Sequence, residues 1–285
     1  MDLEWNRKGK KPVLIQKNKK DVVYLSFPLL ENSRLVKHGF STRLGGVSKG
    51  IFSSMSFGYA RGDNPEAVME NYRRMAEALG VEAEKMVVSY QTHTTNIRRV
   101  TKEDAGKGVF YPREYRDVDG LMTNEPGLTL VTIYADCVPL YFLDPVNRAI
   151  ALSHSGWRGT VNRMGQKTME EMKNCFGSKP EELLCAIGPS ICRECYEVGQ
   201  DVAEAFRREF PGYRTDILEE KGNGKYLLDL WKANERVLLD AGVQKEHIEI
   251  TDICTCCNPD YLFSHRASGG KRGNLGAFLC LKEEL

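Results

Sequence analysis

No apolar run in these 285 residues reaches the roughly 18 residues that a membrane-spanning helix needs, which excludes a helical membrane protein. The opening residues, MDLEWNRKGKK, lack the apolar core of a secretory signal, and a cytoplasmic chain is expected. An excess of either charge is missing too. Lys and Arg number 40 against 39 Asp and Glu, for a net charge of +1. Such a balance raises no global field to recruit nucleic acid or an anionic membrane. The basic residues between 7 and 20, Lys10 among them, read as a solvated face. Neither GxGxxG nor GKS/GKT occurs, which removes the dinucleotide fingerprint and the phosphate loop. Histidine is scarce, five in all with no HxH pair, too few for the trinuclear centre of a multicopper oxidase. Repeats, low-complexity tracts and Pro/Ser linkers are absent, so one continuous domain is expected over 1–285, with 1–30 as an N-terminal hairpin extension.

What is present reads as mixed strands and helices around a substantial core, with 41% apolar residues. Residues 13–16 and 22–27 alternate like a hairpin. Asn64-Pro65 is a cap followed by a first-turn proline, and Val68, Tyr72, Met75, Ala76 and Leu79 form a helical stripe stopped by Gly80. A second helix is expected over 160–176, stopped by Gly177, with others near 198–210 and 230–241. Strands are expected at 86–90, 128–135, 139–143, 149–153, 183–187, 248–253 and 277–281. The interleaving is not a strict alternation. It predicts an α/β (mixed α+β) class, with mixed sheets flanked by helices.

Three of the strand-like runs lead into His93 in SYQTH, Cys137 in YADCVPL and His154 in SHSGWRG. Two imidazoles and a thiolate are borderline-soft donors that suit zinc, with copper as the other candidate. Three protein donors leave a fourth position open, the pattern of a catalytic metal site. Cys137 with a neighbouring histidine also fits the nucleophile and base of a metal-free cysteine hydrolase. Two glycine-rich turns could take an anion: His38 to Ser48 with Arg43, and Ser155 to Thr160 with Arg158 at a helix start. Nine cysteines, an odd number set inside strand-like and helix-like runs, fit a reducing compartment better than a disulfide framework. Among them, Cys192-x-x-Cys195 and Cys254-x-Cys256-Cys257 invite a structural zinc reading. Buried thiols packed as small hydrophobes are the expectation there.

The segments HGFSTRLGGVS, QTH, VDGLMTNEPGLTLVTIYADCVPLYFLDP, ALSHSGWRGT, AIGPSICRECYEVG, LDLWKANERVLLDAGV and FSHRASGG, taken in order over residues 35–280, resemble the YlmD/YfiH family. That family is also called the laccase-domain or polyphenol oxidase family, and the resemblance is strongest to its purine nucleoside phosphorylase type. It implies one mixed α/β domain and a metal, usually zinc, held by His93, Cys137 and His154. It also implies phosphorolysis of adenosine, inosine and methylthioadenosine, with adenosine deamination as a second activity and copper-dependent polyphenol oxidation as an older assignment. The partners implied are a purine nucleoside and phosphate, with neither nucleic acid nor membrane, in a monomer or homodimer. Arg43, Arg158 and Arg266 are the expected substrate and phosphate contacts. One departure stands out: family members often close with a Gly-Arg pair where this chain has Gly273-Asn274, with Arg266 kept and Arg272 close by.

Overall fold

The computed structural model describes residues 3–9 and 11–283; Lys10 of the basic stretch lies outside them. The chain opens with strands β1 (Ile15–Lys19) and β2 (Val22–Ser26), helix α1 (Pro28–Asn32), β3 (Val36–Ser41) and helix α2 (Pro65–Leu79). Strands β4 (Met86–Val88), β5 (Ile97–Arg99), β6 (Gly120–Thr123), β7 (Thr129–Tyr134), β8 (Val138–Asp144) and β9 (Ala149–Ser155) follow. Helices α3 (Trp157–Val161) and α4 (Met164–Phe176), β10 (Leu184–Ile187), β11 (Glu197–Val198), α5 (Gln200–Glu209) and α6 (Arg214–Ile217) come next. The chain closes with β12 (Leu218–Gly222), β13 (Lys225–Leu228), α7 (Leu230–Asp240), β14 (Ile248–Ile250), α8 (His265–Ser268) and β15 (Leu275–Leu281).

The strands form two six-stranded sheets, ordered β1-β2-β3-β15-β7-β4 and β14-β10-β8-β9-β6-β5, and a small sheet β11-β13-β12. Most pairs are antiparallel, but β4 with β7, β5 with β6 and β10 with β14 run parallel, so both large sheets are mixed. Strand alternation sorts the apolar side chains into layers. On β8, Val138, Leu140 and Phe142 join one core while Tyr141 and Leu143 join another. On β15, Leu275, Ala277, Leu279 and Leu281 face the central core and Phe278 faces away. The two sheets therefore stack face to face around the core of Phe40, Leu130, Tyr141, Leu152 and Leu279. Helix α2 covers the outer face of the first sheet, and α4 and α7 cover that of the second. Both faces of each sheet are covered, which is why the strands read as near-continuous apolar runs rather than as alternating ones.

Helix α2 forms as its sequence predicts. The Asn64 side chain accepts the N–H groups of Glu66 and Ala67, a cap worth about 1 kcal/mol, and Gly80 ends the helix in the left-handed region at φ 67°. The helix expected over 160–176 is two helices. Thr160 Oγ1 donates back to the Gly156 carbonyl, and the chain turns at Arg163 (φ 57°) before restarting at Met164. There the Arg163 guanidinium ties to Glu209 and, at 3.4 Å, to Asp240, so the break is anchored to α5 and α7. Strand β9 continues to Ser155, which places His154 inside the strand. The N-terminal hairpin is the edge of the first sheet, with β2 paired to β3 and with Leu14, Leu25 and Phe27 in the central core.

Candidate metal centre

Cys137 sits in the tight connection from β7 to β8. Asp136 takes φ 84° there and fixes its side chain elsewhere: Oδ1 accepts from Thr255 Oγ1 at 2.7 Å and Oδ2 from the Arg266 N–H at 2.7 Å. The β8–β9 register pairs Val138 with Ser155 and Pro139 with His154, which brings Cys137 beside His154. His93 arrives from the loop after β4 with φ 65°. The structure brings the candidate ligand atoms of His93, Cys137 and His154 to within 4.8 Å of one another. The rings of His93 and His154 meet edge to face at 4.9 Å. His154 is buried and His93 is exposed, so the cluster opens to solvent on the His93 side.

Asp119 organises two of the three donors. Its carboxylate, fully buried, accepts the N–H groups of Thr92 at 3.1 Å, His93 at 3.1 Å and Thr94 at 2.8 Å, which holds the loop that presents His93. The same carboxylate takes His154 Nδ1 at 2.8 Å, which leaves Nε2 for the Cys137 side of the cluster. Burial opposes ionising this acid, but His154 and the backbone donors win and hold it below the usual range. Sequence reasoning missed Asp119. Its one signal was an acid standing directly before a strand whose residues are all buried.

Burial disfavours a charge on His154, yet the Cys137 sulfur and Asp119 beside it raise the imidazole to about 9. His93 moves the other way: burial, then His154 and Arg158, lower it and favour the neutral ring that can donate a lone pair. Gly156 keeps the space open, since a Cβ there would stand 3.0 Å from His93 Nδ1 and 3.1 Å from Cys137 Sγ. Behind it, Ser155, Thr160 and Asn234 share side-chain hydrogen bonds of 3.0 Å that lock the turn from β9 into α3 to helix α7. The donor chemistry, the spacing and the glycine cradle all fit one metal ion.

The three arginines singled out from sequence are placed differently. Arg158 is exposed, lies 4.4 Å over the Trp157 ring and acts electrostatically on His93. Arg43 donates to the carbonyls of Ser53 and Pro259 at 2.9 Å and lies 4.6 Å over Phe263. Arg266 donates to the carbonyls of Cys195 at 3.1 Å and Glu197 at 3.0 Å. Both bind loops together. Arg272 is the group that sequence reading left aside. Its guanidinium is partly buried, which lowers it to about 10, Asp136 and Cys137 act on it, and its Nε is buried with no partner among the described residues. Two surface clefts of 400 and 410 Å³ are lined by Lys37, Gly80 and Gly127 and by Lys17, Glu31 and His38, away from the three donors. No helix among the described residues is long and apolar enough to cross a membrane.

The family model described as multi-copper polyphenol oxidoreductase laccase matches residues 37–282. The chain is 35% identical over 257 residues to the purine nucleoside phosphorylase YlmD of Bacillus subtilis (strain 168), covering 89% of this chain and 91% of that protein. It is 32% identical over 236 residues to the adenosine deaminase RL5 of an unknown prokaryotic organism, covering 82% and 90%. The crystal structure of YlmD from Geobacillus stearothermophilus superposes with a TM-score of 0.88 at 34% identity, over 96% of this chain and all of that one (100%).

Proposed function

This chain belongs to the multi-copper polyphenol oxidoreductase laccase family, and we propose that within it the chain is a metal-dependent purine nucleoside phosphorylase with adenosine deaminase activity. Adenosine, inosine and methylthioadenosine would be its substrates, with phosphate as the co-substrate. The convergence of His93, Cys137 and His154, open on the His93 side, carries this reading. When bound there, zinc would supply Lewis-acid activation of water for deamination.

The chain's own residues do the rest. Asp119 fixes His154 as a donor through Nε2 and holds the His93 loop in place. Gly156 leaves the approach clear. Arg158, exposed beside His93, and Arg272, with an unpaired buried N–H, are positioned to attract a phosphate; Arg43 and Arg266 shape the loops around them. Copper chemistry of the laccase type has less support, since five histidines with no HxH pair cannot build a trinuclear centre. A second reading draws on the order Cys137–His154–Asp119, in which His154 bonds both neighbours as the base of a cysteine hydrolase would.

Product analysis of adenosine, with and without phosphate, tests the proposal. Adenine that forms only with phosphate supports phosphorolysis, and inosine in both tubes supports deamination alone. Cys137→Ala should lose activity and the metal of this centre together. Activity that survives chelation but is lost on thiol alkylation would move the assignment to the cysteine hydrolase.

A further inference from the structure

A second cluster of donors lies outside the centre just described. Cys192, Cys195, Cys254 and Cys257 place their four sulfurs within 4.8 Å of one another. Cys192 and Cys254 pack in the apolar core with Cys195 and Cys257 against it, as expected of buried thiols, and the four sulfurs also converge on one point. Parallel strands β10 and β14 run side by side, and the bridge between Ser190 and Cys254 continues their pairing. Each strand therefore delivers a C-x-x-C turn to the same place.

The spacing decides between the chemistries. Cys195 Sγ lies 3.4 Å and Cys192 Sγ 3.9 Å from Cys257 Sγ. A disulfide requires about 2.05 Å. A zinc tetrahedron with Zn–S bonds of about 2.3 Å has sulfur–sulfur edges of about 3.8 Å. The main chain is arranged to stabilise thiolates. The Cys195 N–H is directed at Cys192 Sγ, and Cys254 Sγ receives the N–H groups of Cys257 and, at 3.2 Å, of Cys192. The Lys8 ammonium hydrogen-bonds Cys257 and adds a positive charge against the cluster. Cys256, although adjacent in sequence, is not part of the set.

We propose that Cys192, Cys195, Cys254 and Cys257 bind a structural zinc ion separate from the His93–Cys137–His154 centre. Four sulfurs close the coordination sphere and leave no position for substrate. The ion ties the loop after β10 to the loop after β14. Arg266 and Asp136 extend that link, since Arg266 bonds the Cys195 carbonyl while its N–H bonds the Asp136 carboxylate next to Cys137. The staple therefore supports one wall of the first centre, and it does not depend on which reaction that centre performs.

Metal analysis of the full-length protein, equilibrated with zinc and freed of excess, tests this. The expected content is about two zinc ions per chain, falling to one in Cys137→Ala. Cys195→Ser/Cys257→Ser should also lose one ion and melt at a lower temperature, and Cys256→Ser should keep both. Should the double variant fail to fold, native wild-type protein still gives an answer: the four cysteines should resist alkylation together and become reactive together when zinc is removed. A wild type with one zinc that is lost entirely in Cys137→Ala would overturn the proposal. So would a Cys195–Cys257 disulfide in protein handled without oxidant, or iron in place of zinc at the four cysteines.

Discussion

His38 and His154 are both buried histidines, yet their surroundings drive them in opposite directions. His154 has a sulfur and a carboxylate beside it, whereas His38 accepts the Phe27 N–H through Nε2 at 2.8 Å and lies between Phe27 and Tyr141. Burial lowers His38 to about 4. Its ordinary value is near 6.5, so below that pH the unfolded chain takes up a proton that the folded chain refuses. The stability from neutral His38 is complete above about pH 6.5 and is lost as the pH falls toward 4, by about 3 kcal/mol. Denaturant titrations at pH 7 and pH 4 should show His38→Gln, which keeps an acceptor for Phe27, losing less stability over that interval than the wild type. Equal losses would refute the assignment. The sequence shows a histidine in HGFSTR in either case; which groups the ring meets is decided by partners distant in the chain.

At the scale of elements, the turn from β9 into α3 matters most, because it fixes where His154 and Gly156 point. Its polar side chains are buried and satisfy one another: Ser155, Thr160 and Asn234, with Asn234 also donating to the Leu230 carbonyl. Asn234→Ala would leave the Thr160 and Ser155 hydroxyls short of partners, and the expected destabilisation is about 1–3 kcal/mol, read by urea denaturation. Metal affinity at the first centre should weaken as well, because the same turn carries the Gly156 cradle. A variant with unchanged stability would show that the network contributes nothing. The pattern LDLWKAN suggests only a helix. Its role in holding the β9–α3 turn arises because α7 packs beside α3 and α4.

Across the whole molecule, the two stacked sheets share a core to which segments at the sheet edge also contribute. The N-terminal hairpin illustrates this, since it closes one edge of the first sheet and buries Leu14, Leu25 and Phe27 in the central layer. Deleting residues through Ser26 should expose β3 as an unpaired edge above apolar surface and yield aggregated or unfolded protein. A soluble shortened chain that still melts cooperatively would mark the hairpin as dispensable. The sequence by itself determined the helix caps, the apolar runs, the class of mixed sheets with flanking helices and the choice of His93, Cys137 and His154 as candidate donors, because these follow from local spacing and from the chemistry of each side chain. The tertiary structure alone decided that Asp119 serves both histidines, that Arg43 and Arg266 are spent on main-chain carbonyls, and that two C-x-x-C turns far apart in the chain, Cys192 to Cys195 and Cys254 to Cys257, meet at one point. Those outcomes depend on sheet register and on which strands become neighbours, and both are set by contacts between residues far apart in the chain.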